Sequence, residues 1–548
     1  MKRILLLLLV VVCGLTSQAK VQLPRLFQSG MVLQRGTSVP VWGKADPHEK
    51  VIIRWNKRQY ATVADADGHW RIDLPKMKAG GPYTMMVGDV VLTDVLVGDV
   101  WLLSGQSNID VTIERVYPQY TDEIDHFDNP NVRLFRVQNE ANPRGPQDDI
   151  LPTSINWKPV NKQNAWLFSA VGTFLGLHMQ QQTGVPQGII VNSWGGTPIE
   201  AWISADSLQR DYPLAVAKTR LYQNADMVRA QQQANQLADQ QWRQLLDERD
   251  PGVAQHFTSP DLDDSQWQPV DQYRNDWAKT PQGRGIVGSI WLRQHVTIDR
   301  AHALQPARLL LGTLFDADFT YVNGQEVGRT YYQYPPRRYD IPAGLLREGD
   351  NVITVRFVNK YGTAHFIQDK PYLLAFGDDR YSQNPMPRDV LPLSTRWLHH
   401  PGAQMPPCPS GDVSLQNMAT TLYNAVLHPL APYALSGVVW YQGESNSGNP
   451  DPYADLLRKL MGCWRSLWHQ PAMPFCIVQL AKYMYPHDAG YKNWLRLRDQ
   501  QRQVAQEDPY AEAADIFDLG EENDIHPLRK KEVAQRIAAA FSKLITRQ

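Results

Sequence analysis

Cysteine is scarce in this chain, with four in 548 residues. Cys13 lies in the N-terminal apolar run, which leaves Cys408, Cys463 and Cys476. Three cysteines allow at most one internal disulfide, and no C-x-x-C pair is present to hold a metal or redox centre. A disulfide-built scaffold is therefore excluded, and buried apolar thiols are the expectation. An excess of either charge is also missing. Fifty-five Lys and Arg stand against 56 Asp and Glu, a formal net charge of −1. Such a chain makes no global electrostatic case for nucleic acid or an anionic membrane surface. No G-x-x-x-x-G-K-[ST] phosphate loop occurs. An apolar run of about 20 residues, the length that spans a bilayer, is absent as well. The run from Ile4 to Cys13 is shorter, follows Lys2 and Arg3, and ends before Ser17-Gln18-Ala19. That pattern reads as a secretory signal over residues 1–19 and predicts an exported protein, periplasmic or extracellular, without a membrane span.

What the chain does have is apolar and aromatic surface: 43% hydrophobic residues, 17 Trp and 23 Tyr. Disorder is excluded, and the length provides for several domains of roughly 100–200 residues each. Residues 20–97 carry short β-branched or aromatic runs between turn signals, among them Val51-Ile52-Ile53-Arg54-Trp55 and Tyr83-Thr84-Met85-Met86-Val87. They predict an N-terminal β-sandwich. The style changes at residue 98. Asp99-Val100-Trp101-Leu102-Leu103-Ser104, Gly188-Ile189-Ile190-Val191-Asn192-Ser193, Ser436-Gly437-Val438-Val439-Trp440-Tyr441 and Pro474-Phe475-Cys476-Ile477-Val478-Gln479-Leu480 are nearly continuous apolar runs. Strands buried on both faces read this way, and helical stretches beside them predict a layered α/β domain with a parallel sheet. Val533, Ile537, Phe541 and Leu544 add an amphipathic C-terminal helix. Between the two halves of the α/β pattern, a Gln/Ala-rich helical stretch leads into alternating strands such as Phe315-Asp316-Ala317-Asp318-Phe319-Thr320-Tyr321-Val322. We expect a β jelly-roll inserted over residues 250–380, dividing the α/β domain into residues 98–249 and 381–548.

Four blocks carry the side chains of a nucleophilic site. Ser104-Gly105-Gln106-Ser107-Asn108 follows the first apolar strand and would expose the Ser107 hydroxyl above the sheet, with a backbone N–H aimed at a developing oxyanion. Asn192-Ser193-Trp194-Gly195-Gly196-Thr197 brings paired glycines whose backbone can approach a ligand closely. Trp440-Tyr441-Gln442-Gly443-Glu444-Ser445-Asn446 places carboxamides and a carboxylate at a third strand end. Asn523-Asp524-Ile525-His526-Pro527 precedes the C-terminal helix, and its imidazole could take the serine proton while a carboxylate holds the other ring nitrogen. Trp194, Trp202 and Tyr441 flank the blocks, either as sugar-stacking rings or as core aromatics.

In this order the strings G-Q-S-N, S-W-G-G-T-P-I-E-A-W, W-Y-Q-G-E-S-N and N-D-I-H-P resemble the sialate O-acetylesterase family of the SGNH-hydrolase superfamily. The resemblance implies a three-layer α/β catalytic domain, a galactose-binding-like insert, and a serine esterase that removes acetyl groups from sugar hydroxyls with no metal or other cofactor. It implies Ser107 as nucleophile, His526 as general base and then acid, and an oxyanion hole from the Ser107 and Gly196 backbone with a side-chain amide. Gln442 is the preferred amide and Asn446 the alternative. The superfamily's usual G-x-N-D string is missing from the third block, and Asn523 occupies the usual aspartate position three residues before the histidine. Asp524 is accordingly the expected acid partner, with Glu444 as its rival. The implied partner is an O-acetylated sugar or glycan, sialic acid first, with acetylated xylan or another polysaccharide as the alternative. A non-catalytic glycan-binding protein is the reading from a different class.

Overall fold

The computed structural model describes residues 21–368, 370–382, 386–409 and 413–547. The expected signal segment falls outside them. At the centre is a sheet whose path runs Ala511–Ala514, Phe475–Val478, Gly437–Tyr441, Val90–Gly105, Gln187–Ser193, Asp128–Arg136, Ile155–Asn161. Every neighbouring pair is parallel except the last, where Ile155–Asn161 runs antiparallel at the edge. The apolar runs become parallel strands because both sheet faces are covered and side chains alternate between them. Trp101 and Leu103 join one core with helices Ala170–Thr183 and Lys530–Arg547. Val100 and Leu102 join the opposite core with helices Tyr453–Leu467 and Tyr491–Glu507. Val533, Ile537, Phe541 and Leu544 line the buried stripe of the last helix, as their spacing predicts. No helix among the described residues is long and apolar enough to cross a membrane.

Two expected boundaries move. The sequence places the first after residue 97, yet Val90–Gly105 is one 16-residue strand. Its first half pairs antiparallel with Gly80–Val87 and its second half pairs parallel with Gln187–Ser193. The N-terminal β unit and the α/β layer thus share a strand, with a common core beneath it. The second correction concerns the insert. The sequence pattern places helix Ala225–Arg249 in the α/β domain, but Trp242 and Leu246 on it pack with Ala317, Val358, Ala403 and Met405. Asp250 binds the Trp291 indole N–H and the Arg356 guanidinium, both at 2.8 Å. At the other end, Arg396–Gln404 pairs with Gly288–Ile298 inside the insert's six-stranded antiparallel sheet. The insert therefore runs to residue 404, because hydrogen bonding across the sheet, not the return of apolar sequence, defines its edge.

A second antiparallel sheet, Arg338–Ile341, Ala307–Leu311, Tyr372–Ala375 and Val390–Pro392, faces the six-stranded one across a shared apolar core. An ion pair is sealed inside this unit. Arg337 donates to Asp318 at 2.7 Å, and both side chains are fully buried. Arg337 also donates to the carbonyls of Pro335 and Asp316, which fixes the 331–337 loop next to the α/β unit. Removing one partner of such a pair strands a buried charge and costs about 3–5 kcal/mol. Asp318→Ala is therefore expected to lower the insert's unfolding free energy, measured by urea titration, by that order. The double variant Asp318→Ala/Arg337→Met should recover a large part of the loss; a single variant as stable as the unmodified chain would contradict the assignment.

Candidate active site

Register brings three of the four blocks to one level. Gly105 is flanked by Ser193 on one neighbouring strand and by Tyr441 on the other. All three strands end there, at the carboxyl edge where α/β sheets bind ligands. Gly105 adopts φ +137°, and a Cβ on it would lie 2.1 Å from the Tyr441 carbonyl oxygen. Only glycine permits that approach. The chain then turns, the Gln106 N–H bonds the Tyr441 carbonyl at 3.1 Å, and Ser107 opens the short helical turn Ser107–Asp110. A first-turn amide has no acceptor inside its own helix.

The fourth block arrives from the loop after Ala511–Ala514. His526 Nε2 lies 2.8 Å from Ser107 Oγ. The imidazole is buried, and burial, followed by the positive charges of Arg115 and Lys530, holds its pKa well below the ordinary histidine value, against the opposing pull of Asp524. A neutral ring in contact with a hydroxyl is the arrangement a general base requires. Asp524 does not complete a triad here. Its Oδ1 accepts the His526 backbone N–H at 2.8 Å, whereas His526 Nδ1 is buried with no hydrogen-bond partner among the described residues. The carboxylate instead faces Lys370 at 3.5 Å and Arg115 at 3.9 Å. Burial raises its pKa, but those two cations and the His526 amide outweigh burial and keep it below the ordinary carboxylate value. Two residues of separation let the carboxylate cap the backbone but leave it short of the ring.

The rival acid, Glu444, sits deeper still. Asn108 Nδ2 donates to Glu444 Oε1 at 2.5 Å and to the Ile525 carbonyl at 3.0 Å, while Lys530 Nζ donates to Asn108 Oδ1 at 2.5 Å. Asn108 thus ties the first block to the third, to the His526 loop and to the last helix. Burial raises the Glu444 pKa, and Lys530, fully buried with its ammonium 5.6 Å from the Tyr441 ring centre, is pushed down to about 7 by burial and by Arg115. Both groups lie buried beneath the Ser107 turn.

The expected amide donors are otherwise engaged. Gln442 is fully buried, and its Nε2 donates to the Thr197 carbonyl at 3.1 Å and to Asn446 Oδ1 at 2.7 Å. Both its amide hydrogens are spent, so Gln442 braces the second and third blocks and does not face a ligand. Asn446 does similar work, accepting from the Ile199 N–H at 3.0 Å and donating to Glu200 at 3.0 Å. The glycine pair does lie at Ser107: a Cβ on Gly195 would come within 3.2 Å of the Ser107 Cβ, and Gly196 is exposed at φ +75°. Their turn is held from below by Asp110, which accepts from the Ser193 hydroxyl at 2.6 Å and from the Gly195 N–H. Burial raises the Asp110 carboxyl to about 6 despite Arg136. Trp202 and Tyr441 are fully buried core aromatics, while Trp194 is half-buried.

Sequence reasoning missed Lys530, Asp110 and Tyr334. Asp110 had a signal, lying three residues after Ser107 on the same helical turn. Lys530 had none, since charge in a sequence does not reveal burial. Tyr334 comes from the insert and meets the His526 ring edge-on, with centroids 5.2 Å apart. Its signal was the aromatic and basic string Tyr331-Tyr332-Gln333-Tyr334-Pro335-Pro336-Arg337-Arg338.

The charges around His526 define a titration. NMR of the imidazole is expected to show a neutral ring at pH 6.5, the ordinary midpoint for histidine. Arg115→Gln removes a positive charge that opposes protonation, so it should raise the His526 pKa. An unchanged or lowered value would contradict the assignment.

Residues 405–543 match the protein family described as carbohydrate esterase, sialic acid-specific acetylesterase. The chain is 30% identical over 199 residues to the sialate O-acetylesterase of Homo sapiens, covering 33% of this chain and 38% of that protein. It is 31% identical over 202 residues to the sialate O-acetylesterase of Mus musculus, covering 33% of this chain and 37% of that one. These matches span little more than a third of the curated relatives' length. Among solved structures, a carbohydrate acetylesterase from Xanthomonas citri superposes with a TM-score of 0.54 at 22% identity, covering 95% of this chain and 74% of that one. That likeness concerns the fold.

Proposed function

We propose, from the premise that residues 405–543 form a sialic acid-specific acetylesterase domain of the carbohydrate esterases, that this chain removes O-acetyl groups from sialic acid by way of an acetyl-serine. The observation that carries the reading is the 2.8 Å approach of His526 Nε2 to Ser107 Oγ at the carboxyl edge of a parallel sheet. The relatives' names supply the substrate, and the geometry supports the chemistry.

In the first step Ser107 Oγ attacks the acetyl carbonyl as His526 Nε2 takes its proton, and the carbonyl π pair moves onto oxygen. The backbone N–H groups of Ser107 and Gly196 are the donors for that oxyanion, with no side-chain amide from Gln442. Collapse expels the sugar oxygen, which takes the proton from His526. Water, deprotonated by the same ring, then attacks the acetyl-serine; the bond to Ser107 Oγ breaks, Oγ retakes the proton from His526, and acetic acid leaves and ionises in solvent. Asp524 acts as a positioning residue for His526 through the backbone amide. Its negative charge also favours the imidazolium that forms in each step.

A non-catalytic glycan-binding protein would have no use for a serine and an imidazole in contact. Hydrolysis of p-nitrophenyl acetate separates the two readings. Ser107→Ala and His526→Ala are each expected to lower kcat by more than about 10³-fold, as removal of a nucleophile or its base does. Asp524→Asn should retain more activity than either. Equal rates in Ser107→Ala and the unmodified protein would overturn the proposal.

A further inference from the structure

A cavity of about 240 Å³ opens at the seam between the insert and the α/β unit. It adjoins the candidate site: Asp524 lines it, and so does Tyr334, which touches the His526 ring. Its charges do not balance. Glu521 and Asp524 are the carboxylates in its wall, and Lys370 meets them at 3.1 and 3.5 Å. Arg115 adds a second cation 3.9 Å from Asp524. Arg337 is spent on Asp318 inside the insert. That leaves Arg338, half-buried on the same wall, with no side-chain hydrogen bond or ion pair among the described residues. Burial and the like charges of Arg308 and Arg115 lower its pKa to about 10.

A guanidinium withdrawn from water without a counterion is unfavourable on its own. An entering carboxylate would relieve it, since the planar fork matches two carboxylate oxygens and the surrounding cations add to the attraction. A neutral sugar offers nothing equivalent. We propose that Arg338, presented by the insert, is a specificity-determining residue that receives the carboxylate of an acidic sugar whose acetyl ester lies at Ser107. The inference rests on the esterase reading and deepens it. It assigns the insert a part in substrate recognition and ranks acidic sugars above acetylated xylose. Sialic and uronic acids both carry the required group.

The test is calorimetric binding of N-acetylneuraminate, glucuronate and N-acetylglucosamine to the full chain. At least one acidic sugar is expected to bind about tenfold or more tightly than N-acetylglucosamine, the order of one charge-assisted pair. Arg338→Gln should abolish that preference and Arg338→Lys restore part of it, with thermal melting confirming that both variants fold. The acid that binds identifies the source of the carboxylate. Equal binding of acidic and neutral sugars by the unmodified protein, or a preference that survives Arg338→Gln, overturns the proposal. The reading beneath it fails differently: acid binding intact with no hydrolysis of p-nitrophenyl acetate would remove the esterase and leave the subsite standing.

Discussion

Everything at this site depends on one hydrogen bond between side chains 419 residues apart, Ser107 Oγ and His526 Nε2. No local structure can create it. It exists because three parallel strands stop at the same level and because glycine at position 105 lets two of them approach backbone to backbone. The Asn108 side chain then joins the serine turn, the histidine loop, the third block and the last helix. A shift of one residue in any of these strands would flip its side chains across the sheet and separate the pair.

The electrostatic setting follows from the same packing. Burial keeps the His526 ring neutral, and Arg115 and Lys530, approaching from the Ser107 side and the last helix, add to the effect. Asp524 opposes them by charge while spending its hydrogen bond on the backbone. The ring is thus held neutral, with the negative charge of Asp524 nearby to favour its protonated form. This differs from a triad in which the carboxylate grips the ring directly. The excess of positive charge that keeps His526 neutral also extends into the seam with the insert.

Much of this was legible in the sequence. Continuous apolar runs mark the parallel strands, since burial on both faces leaves little room for polar residues, and three of the four runs lead directly into a block with chemistry. Val533, Ile537, Phe541 and Leu544 announced the last helix through their spacing. The limits of the insert were not legible, because the pairing of Arg396–Gln404 with Gly288–Ile298 is a long-range event with no local mark. Nor was the 97/98 boundary, where one strand changes partners without changing its residues' character. The inward-facing role of Gln442 is illegible for a related reason. A carboxamide at a strand end can face solvent or the core, and only the positions of Thr197 and Asn446 decide which. Lys530 and Arg338 show the same limit for charge, whose burial depends on what folds over it.

The most direct measurement is covalent labelling with an organophosphate that reacts with base-activated serines, followed by peptide mapping. A single modified residue, Ser107, is expected, with labelling lost in His526→Ala. Modification of another serine, or undiminished labelling of Ser107 without the imidazole, would contradict the Ser107 assignment.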